Sequence, residues 1–257
     1  MMRFPTPYEA VMLTRRCLFA LALVVAATLG ADASDNKYGT FIFVKPGQLD
    51  LGKLLAPSPE PNSETQKRDL AAVLDVQKAR TPAQVERAVA DNPLSIYRFA
   101  DVVGPDFSAA RYPQLDAFFK RMFNDSRILV LSSKDVWDRP RPYVVSKEVQ
   151  TVGELPKAPG SYPSGHAIFG YLSAIILANM LPEKATALYE RGYEYGTNRV
   201  VTGVHFPSDL EAGRMAATAI AAALMESEQF RTELEAAKTE LRKGLGLSLN
   251  AASSAAR

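Results

Sequence analysis

Residues 163–180 read PSGHAIFGYLSAIILANM, and this stretch decides the fold. From Ala167 to Met180 there is no charged residue, and the chain is apolar on nearly every side of a helix. Such a segment reads as a helix buried at the centre of a protein, not one laid on its surface. Ser164, directly ahead of it, stands where a helix N-cap belongs. No stretch after the N-terminus can span a bilayer, which takes about 20 apolar residues, because Arg, Lys, Glu or Pro interrupts every candidate.

Working outward, Leu115, Phe118, Phe119, Met122 and Phe123 fall on one helical face upstream. Downstream, residues 210–225 are alanine-rich and carry Gly213, which lets helices approach closely. Phe230, Leu234, Ala237 and Leu241 then mark an amphipathic surface helix. Nearer the N-terminus, Ser63-Glu64-Thr65-Gln66 and Thr81-Pro82-Ala83-Gln84 have the pattern of capping boxes, the second with proline in the first turn. Residues 34–62 end in Ala56-Pro57-Ser58-Pro59-Glu60-Pro61 and read as an irregular arm outside the core, with one short strand at Thr40–Val44. Alternating strand patterns are otherwise scarce and no repeat is found. The expectation is one all-α domain over 63–245 around a central buried helix, followed by a disordered tail at 246–257.

The 257 residues are 47% hydrophobic and 23% charged with net charge +2, an ordinary globular composition that suggests no nucleic-acid polymer as partner. Residues 1–33 read as an export signal. Arg15 and Arg16 precede the apolar run Cys17–Gly30, and Ala31-Asp32-Ala33 offers a cleavage site. Thr14-Arg15-Arg16-Cys17-Leu18-Phe19 fits twin-arginine export and an ordinary signal alike. Cleavage would remove three arginines and two acids, bringing the net charge to +1. It would also remove Cys17, the only cysteine, so the mature protein would have no disulfide. The expected location is periplasmic or secreted, with no membrane attachment after cleavage.

Three polar clusters carry the candidate chemistry. Ser164-Gly165-His166 at a helix start aims backbone N–H groups, a hydroxyl and an imidazole at one spot, where the helix dipole favours an anion. Taken alone, a serine before a helix is more often just an N-cap. Arg199-Val-Val-Thr-Gly-Val-His205-Phe-Pro-Ser-Asp209 lets Asp209 hold one ring nitrogen of His205 and leave the other free as nucleophile or base. That pattern also fits a hydrogen-bonded structural histidine. Lys134-Asp-Val-Trp-Asp-Arg-Pro-Arg141-Pro142 places Lys134 near a helix end and Arg141 in a rigid turn, with Arg139 read as solvated and Trp137 as packing. Together the clusters suit a phosphate monoester. Lys134, Arg141 and Arg199 would hold the non-bridging oxygens, His205 would attack in line, and His166 would protonate the leaving alkoxide. Both histidines are thereby used, which leaves too few for a binuclear metal site, and a mature chain without cysteine excludes a thiolate nucleophile.

The order Lys-x6-Arg-Pro, Pro-Ser-Gly-His, Arg-x5-His-x3-Asp resembles the type 2 phosphatidic acid phosphatase (PAP2) superfamily, which includes the vanadium haloperoxidases. Gly160-Ser-Tyr-Pro-Ser-Gly-His166 and Arg191-Gly-Tyr-Glu-Tyr-Gly-Thr-Asn-Arg199 are similar to the bacterial class A non-specific acid phosphatases, over roughly residues 55–245. The resemblance implies an all-helical fold, a phosphohistidine at His205, and His166 as general acid. It also implies Asp209 orienting His205, with Lys134, Arg141, Ser164, Gly165 and Arg199 around the phosphate. No cofactor or metal is implied, and the substrates would be small phosphomonoesters hydrolysed at acidic pH. A homo-oligomer is left open. Two positions depart from the family pattern: Asn198 where serine is usual before the arginine, and Ala167 where many members have threonine. The rival readings are a vanadate-dependent haloperoxidase, a membrane lipid phosphatase, and a non-catalytic phosphate-binding protein.

Overall fold

The computed structural model describes residues 37–158 and 160–249. Among them are ten α-helices and no β-strand, an all-α architecture as the sequence indicated. In chain order these are α1 (Leu51–Leu54), α2 (Glu64–Ala79), α3 (Pro82–Ala90), α4 (Ala100–Val103), α5 (Pro113–Lys134), α6 (Pro142–Val145), α7 (Gly165–Met180), α8 (Ala185–Val201), α9 (Pro207–Met225) and α10 (Glu228–Gly244). Residues 1–33, read from the sequence as an export signal, lie outside the described residues.

The apolar α7 occupies the centre and packs most extensively on α8 and α9, with α5 and α10 completing the core. The α7–α8 approach requires glycine. A Cβ on Gly170 would come within 2.7 Å of the Gly192 carbonyl oxygen, and one on Gly192 within 2.7 Å of the Ala174 Cβ. Helix starts are fixed locally. Ser63 accepts the Gln66 N–H, and Thr81 and Gln84 complete a reciprocal box at α3. The stripe Phe230, Leu234, Ala237 and Leu241 is buried, docking α10 mainly on α5.

Two expectations from sequence fail in the N-terminal segment. No strand forms at residues 40–44. Instead, the backbone N–H groups of Ile42, Phe43 and Val44 converge on the fully buried Asp125 carboxylate at 2.8, 2.7 and 2.9 Å. Nor is this segment outside the core, since Phe43, Val44, Leu51 and Leu55 are all buried within it. One carboxylate on α5 satisfies the amides that a strand would have paired, so the chain enters the interior without a sheet. At the other end, Gly246 at φ +68° closes α10 with Leu247 N–H on the Arg242 carbonyl and Gly246 N–H on that of Lys243. Thus Gly246 and Leu247 cap the helix, and 250–257 lie outside the described residues.

Candidate active site

One end of the central helix, the end of α5, the α8–α9 turn and the segment before α7 meet in a cleft of about 390 Å³. Its lining includes Lys134, Arg141, Gly165, His166, Arg199 and His205, six of the eight residues singled out from sequence. Asp209 lies beneath it and contacts His205. Ser164 is fully buried and caps α7, its Oγ accepting the Ala167 N–H at 3.3 Å. That cap leaves the Gly165 and His166 amides at the open end of the helix.

His205 sits in a tight turn closed by its own N–H and that of Val204, both donating to the Arg199 carbonyl. Gly203, at φ +74°, makes this turn without strain. The residue is 2% exposed. Its Nδ1 lies 3.2 Å from Asp209 Oδ2, and its Nε2 lies 3.1 Å from Arg141 Nη1. An arginine can only donate, so Nε2 bears the lone pair and Nδ1 the proton. Burial, aided by the Arg141 and Lys134 charges, pushes His205 down to about 3 against the pull of Asp209. Asp209 is itself fully buried. Burial alone would raise its carboxyl, but hydrogen bonds from His205 and Ser161 and the Arg139 cation outweigh that and hold it at about 2. It also accepts the Phe206 N–H at 2.8 Å at the start of α9.

The cations are held at different depths. Lys134 Nζ donates to the Gly160 and Pro163 carbonyls at 2.9 Å each, and desolvation together with the neighbouring Arg141 lowers it to about 7. Arg141 donates to the carbonyls of Val204, Ala158 and Gly160. Arg199 is 1% exposed, and burial with the nearby Arg141 lowers it to about 10. Among the described residues, four buried side-chain polar atoms lack a hydrogen-bond partner. Three of them are Arg141 Nε, Arg199 Nε and Arg199 Nη2. Buried guanidinium donors are costly to leave unpaired, so this cluster is built for an anion.

His166 is half-buried, with Nε2 2.8 Å from the Asn92 carbonyl oxygen. Burial drives it down to about 3, with Arg199 and Arg141 adding to the shift and the Asn92 carbonyl and Asp91 opposing it.

Arg139 overturns its reading as a solvated turn residue. It is 3% exposed, pairs with Asp209 at 2.6 Å and Asp69 at 2.7 Å, donates to Gln66 and Ser208, and lies 4.2 Å from the Phe206 ring centroid. Its partners are about 70 residues away in either direction, so nothing local in sequence announces them. Ser161 was missed too. Its hydroxyl donates to Asp209 at 2.5 Å, and the only hint was its place in the Gly160-Ser-Tyr-Pro-Ser run. Trp137 packs edge-on against Tyr162, as expected. No group of three or more His, Cys, Asp or Glu able to hold a metal occurs among the described residues, and none of their helices is long and apolar enough to cross a membrane.

Fold and site together define an all-helical protein with a histidine–carboxylate pair facing a cage of cations. Residues 123–233 match the PAP2 superfamily. An acid phosphatase of Zymomonas mobilis is 31% identical over 200 residues, covering 74% of each chain. A non-specific acid phosphatase of Providencia stuartii is 31% identical over 204 residues, 76% of this chain and 82% of the relative. One from Salmonella typhimurium is 28% identical over 239 residues, 90% and 93% of the two chains. This chain belongs to the class A acid phosphatases of the PAP2 superfamily.

Proposed function

We propose that this chain is an exported, metal-independent phosphatase that cleaves small phosphate monoesters through a phosphohistidine on His205. One observation carries the reading: a buried imidazole with Nδ1 on a carboxylate and its Nε2 lone pair turned toward guanidinium groups that still have unpaired donors. The relatives' names support the same reaction class.

The substrate phosphoryl group enters among Lys134, Arg141 and Arg199 and the amides that open α7. Its oxygens take over the Arg141 donor now engaged by His205, which frees the Nε2 lone pair. Nε2 attacks phosphorus as the ester P–O bond breaks, and the proton on His166 Nδ1 goes to the departing alkoxide. Asp209 keeps the His205 ring oriented and balances its new positive charge. Water then attacks the phosphohistidine, giving its proton to His166. The P–N bond breaks and inorganic phosphate leaves. An alcohol in place of water gives phosphotransfer from the same intermediate.

Burial, with the Arg199 and Arg141 cations adding to it, sets the low value at His166. The anionic phosphoryl group of a substrate offsets Arg141 and Arg199, so its binding favours the protonated donor, most readily at acidic pH.

The test is a rapid quench at neutral pH during turnover of p-nitrophenyl phosphate, followed by peptide mass spectrometry. A phosphoryl group on His205, its absence in His205→Ala together with lost turnover, and activity that survives EDTA are expected. An adduct on another side chain, or turnover restored only by added metal, refutes the proposal.

A further inference from the structure

We propose that Asn198 and Asp91 are positioning residues that set the ring of His166 through the Asn92 carbonyl. This rests on the reading of His166 as the proton donor. One face of α8 carries Arg191, Tyr195 and Asn198 at a spacing of four and three, and all three grip the turn after α3. Arg191 forms a fork on the Asp91 carboxylate at 2.6 and 2.9 Å, and Arg98 adds a bond at 2.9 Å. Asn198 Nδ2 donates to Asp91 Oδ2 at 2.8 Å. Tyr195 donates to the Pro93 carbonyl at 2.5 Å and stacks beside the His166 ring, with centroids 6.3 Å apart. Asp91 is fully buried and Asn198 is 5% exposed, so the turn is held from within.

The residue that follows Asp91 supplies the carbonyl 2.8 Å from His166 Nε2. A carbonyl only accepts, so Nε2 must carry hydrogen and Nδ1 is left to face the cleft. The turn's position therefore decides which ring nitrogen delivers the proton. Asn198 stands where the family pattern has serine. A serine side chain ends one bond earlier and falls short of the carboxylate. The asparagine thus adds a tie between α8 and the turn, adjacent to Arg199 of the cage. Arg199, Arg141 and Asp91 are the charged groups that act most on the His166 ring, and Arg127, Lys134, Glu154 and Lys157 line the same cleft.

Asn198→Ser is the test. Aryl leaving groups need little protonation and alkyl ones need much. The variant should lose about tenfold in kcat/KM on glycerol phosphate, equivalent to about 1.4 kcal/mol, and less than about twofold on p-nitrophenyl phosphate. The same substitution on His166→Ala should add no further loss. Asp91→Asn, which keeps the shape and removes the charge, should repeat the selective loss. Because the chain has two histidines, ¹⁵N histidine spectra read the tautomer directly. His166 should be Nε2-protonated in the wild type and a mixture in Asn198→Ser. Equal loss on both substrates, loss additive with His166→Ala, or an unchanged tautomer overturns the inference. If His166→Ala itself damages both substrates equally, the proton-donor reading fails, and the tautomer still decides the positioning claim separately.

Discussion

Replacing Arg139 with methionine puts the ion-pair network beneath the cleft to a quantitative test. The guanidinium lies between the carboxylates of Asp69 and Asp209, each within 2.7 Å, and both are more than nine-tenths buried. Methionine fills much of the same volume but leaves two carboxylates without their cation. Breaking a buried pair from one side costs about 3–5 kcal/mol. At about 2–4 °C per kcal/mol for a domain this size, Tm should fall by roughly 6–20 °C at pH 7. The sign of the pH dependence follows from Asp209, whose carboxyl is held at about 2 with Arg139 among the causes. Without that cation its folded value rises, and a neutral carboxyl needs no partner. The gap between variant and wild type should therefore narrow on acidification through about pH 4. Arg139→Lys, with a charge but no fork, should fall between the two. Thermal unfolding by circular dichroism at pH 7 and pH 4 measures all of this. A Tm within about 2 °C of wild type at pH 7, or a gap that widens in acid, refutes the reasoning.

Other outcomes follow from the same geometry. His166 and His205 are both held at about 3, against 6.5 in the unfolded chain. Between those values only the unfolded chain takes up their protons, so stability should fall as pH drops below 6.5, by up to about 1.4 kcal/mol per pH unit for each. Urea unfolding from pH 7 to pH 4 checks this, and a flat profile would contradict imidazoles held neutral in the folded state. Vanadate or phosphate binding should draw in protons, because an anion among Arg141 and Arg199 removes the repulsion at His166. Calorimetry in buffers of different ionisation enthalpy should show uptake near pH 5, and release would count against it. Gly170→Ala should cost about 1–3 kcal/mol from the clash with the Gly192 carbonyl, and an unchanged urea midpoint would show that the helices can separate freely.

The helical architecture was legible because α7 is apolar on nearly every side and the flanking helices announce themselves through caps and periodic stripes. Most of the cage was legible for a different reason. Lys134, Arg141, Gly165, His166, Arg199, His205 and Asp209 lie in three short runs whose spacing survives in one dimension. What stayed hidden depends on partners distant in sequence. Arg139 looks like any arginine between prolines until Asp69 on α2 and Asp209 on α9 close around it. Phe43 and Val44 looked like a strand or a loose arm because the carboxylate that receives their amides, Asp125, lies some 80 residues away. Asp91 carries no local sign that Arg191 and Asn198 will reach it from another helix.

The glycine contact between α7 and α8 has an evolutionary corollary. Where two backbones touch, no side chain is left to vary, so the scaffold beneath the cage has few permitted substitutions. The mouth of the cleft is of the opposite kind: Leu94 and Leu155 stand 55% and 53% exposed on loops, next to Lys157 and Glu154. Substitutions there can reshape what enters the cleft without disturbing the frame beneath it.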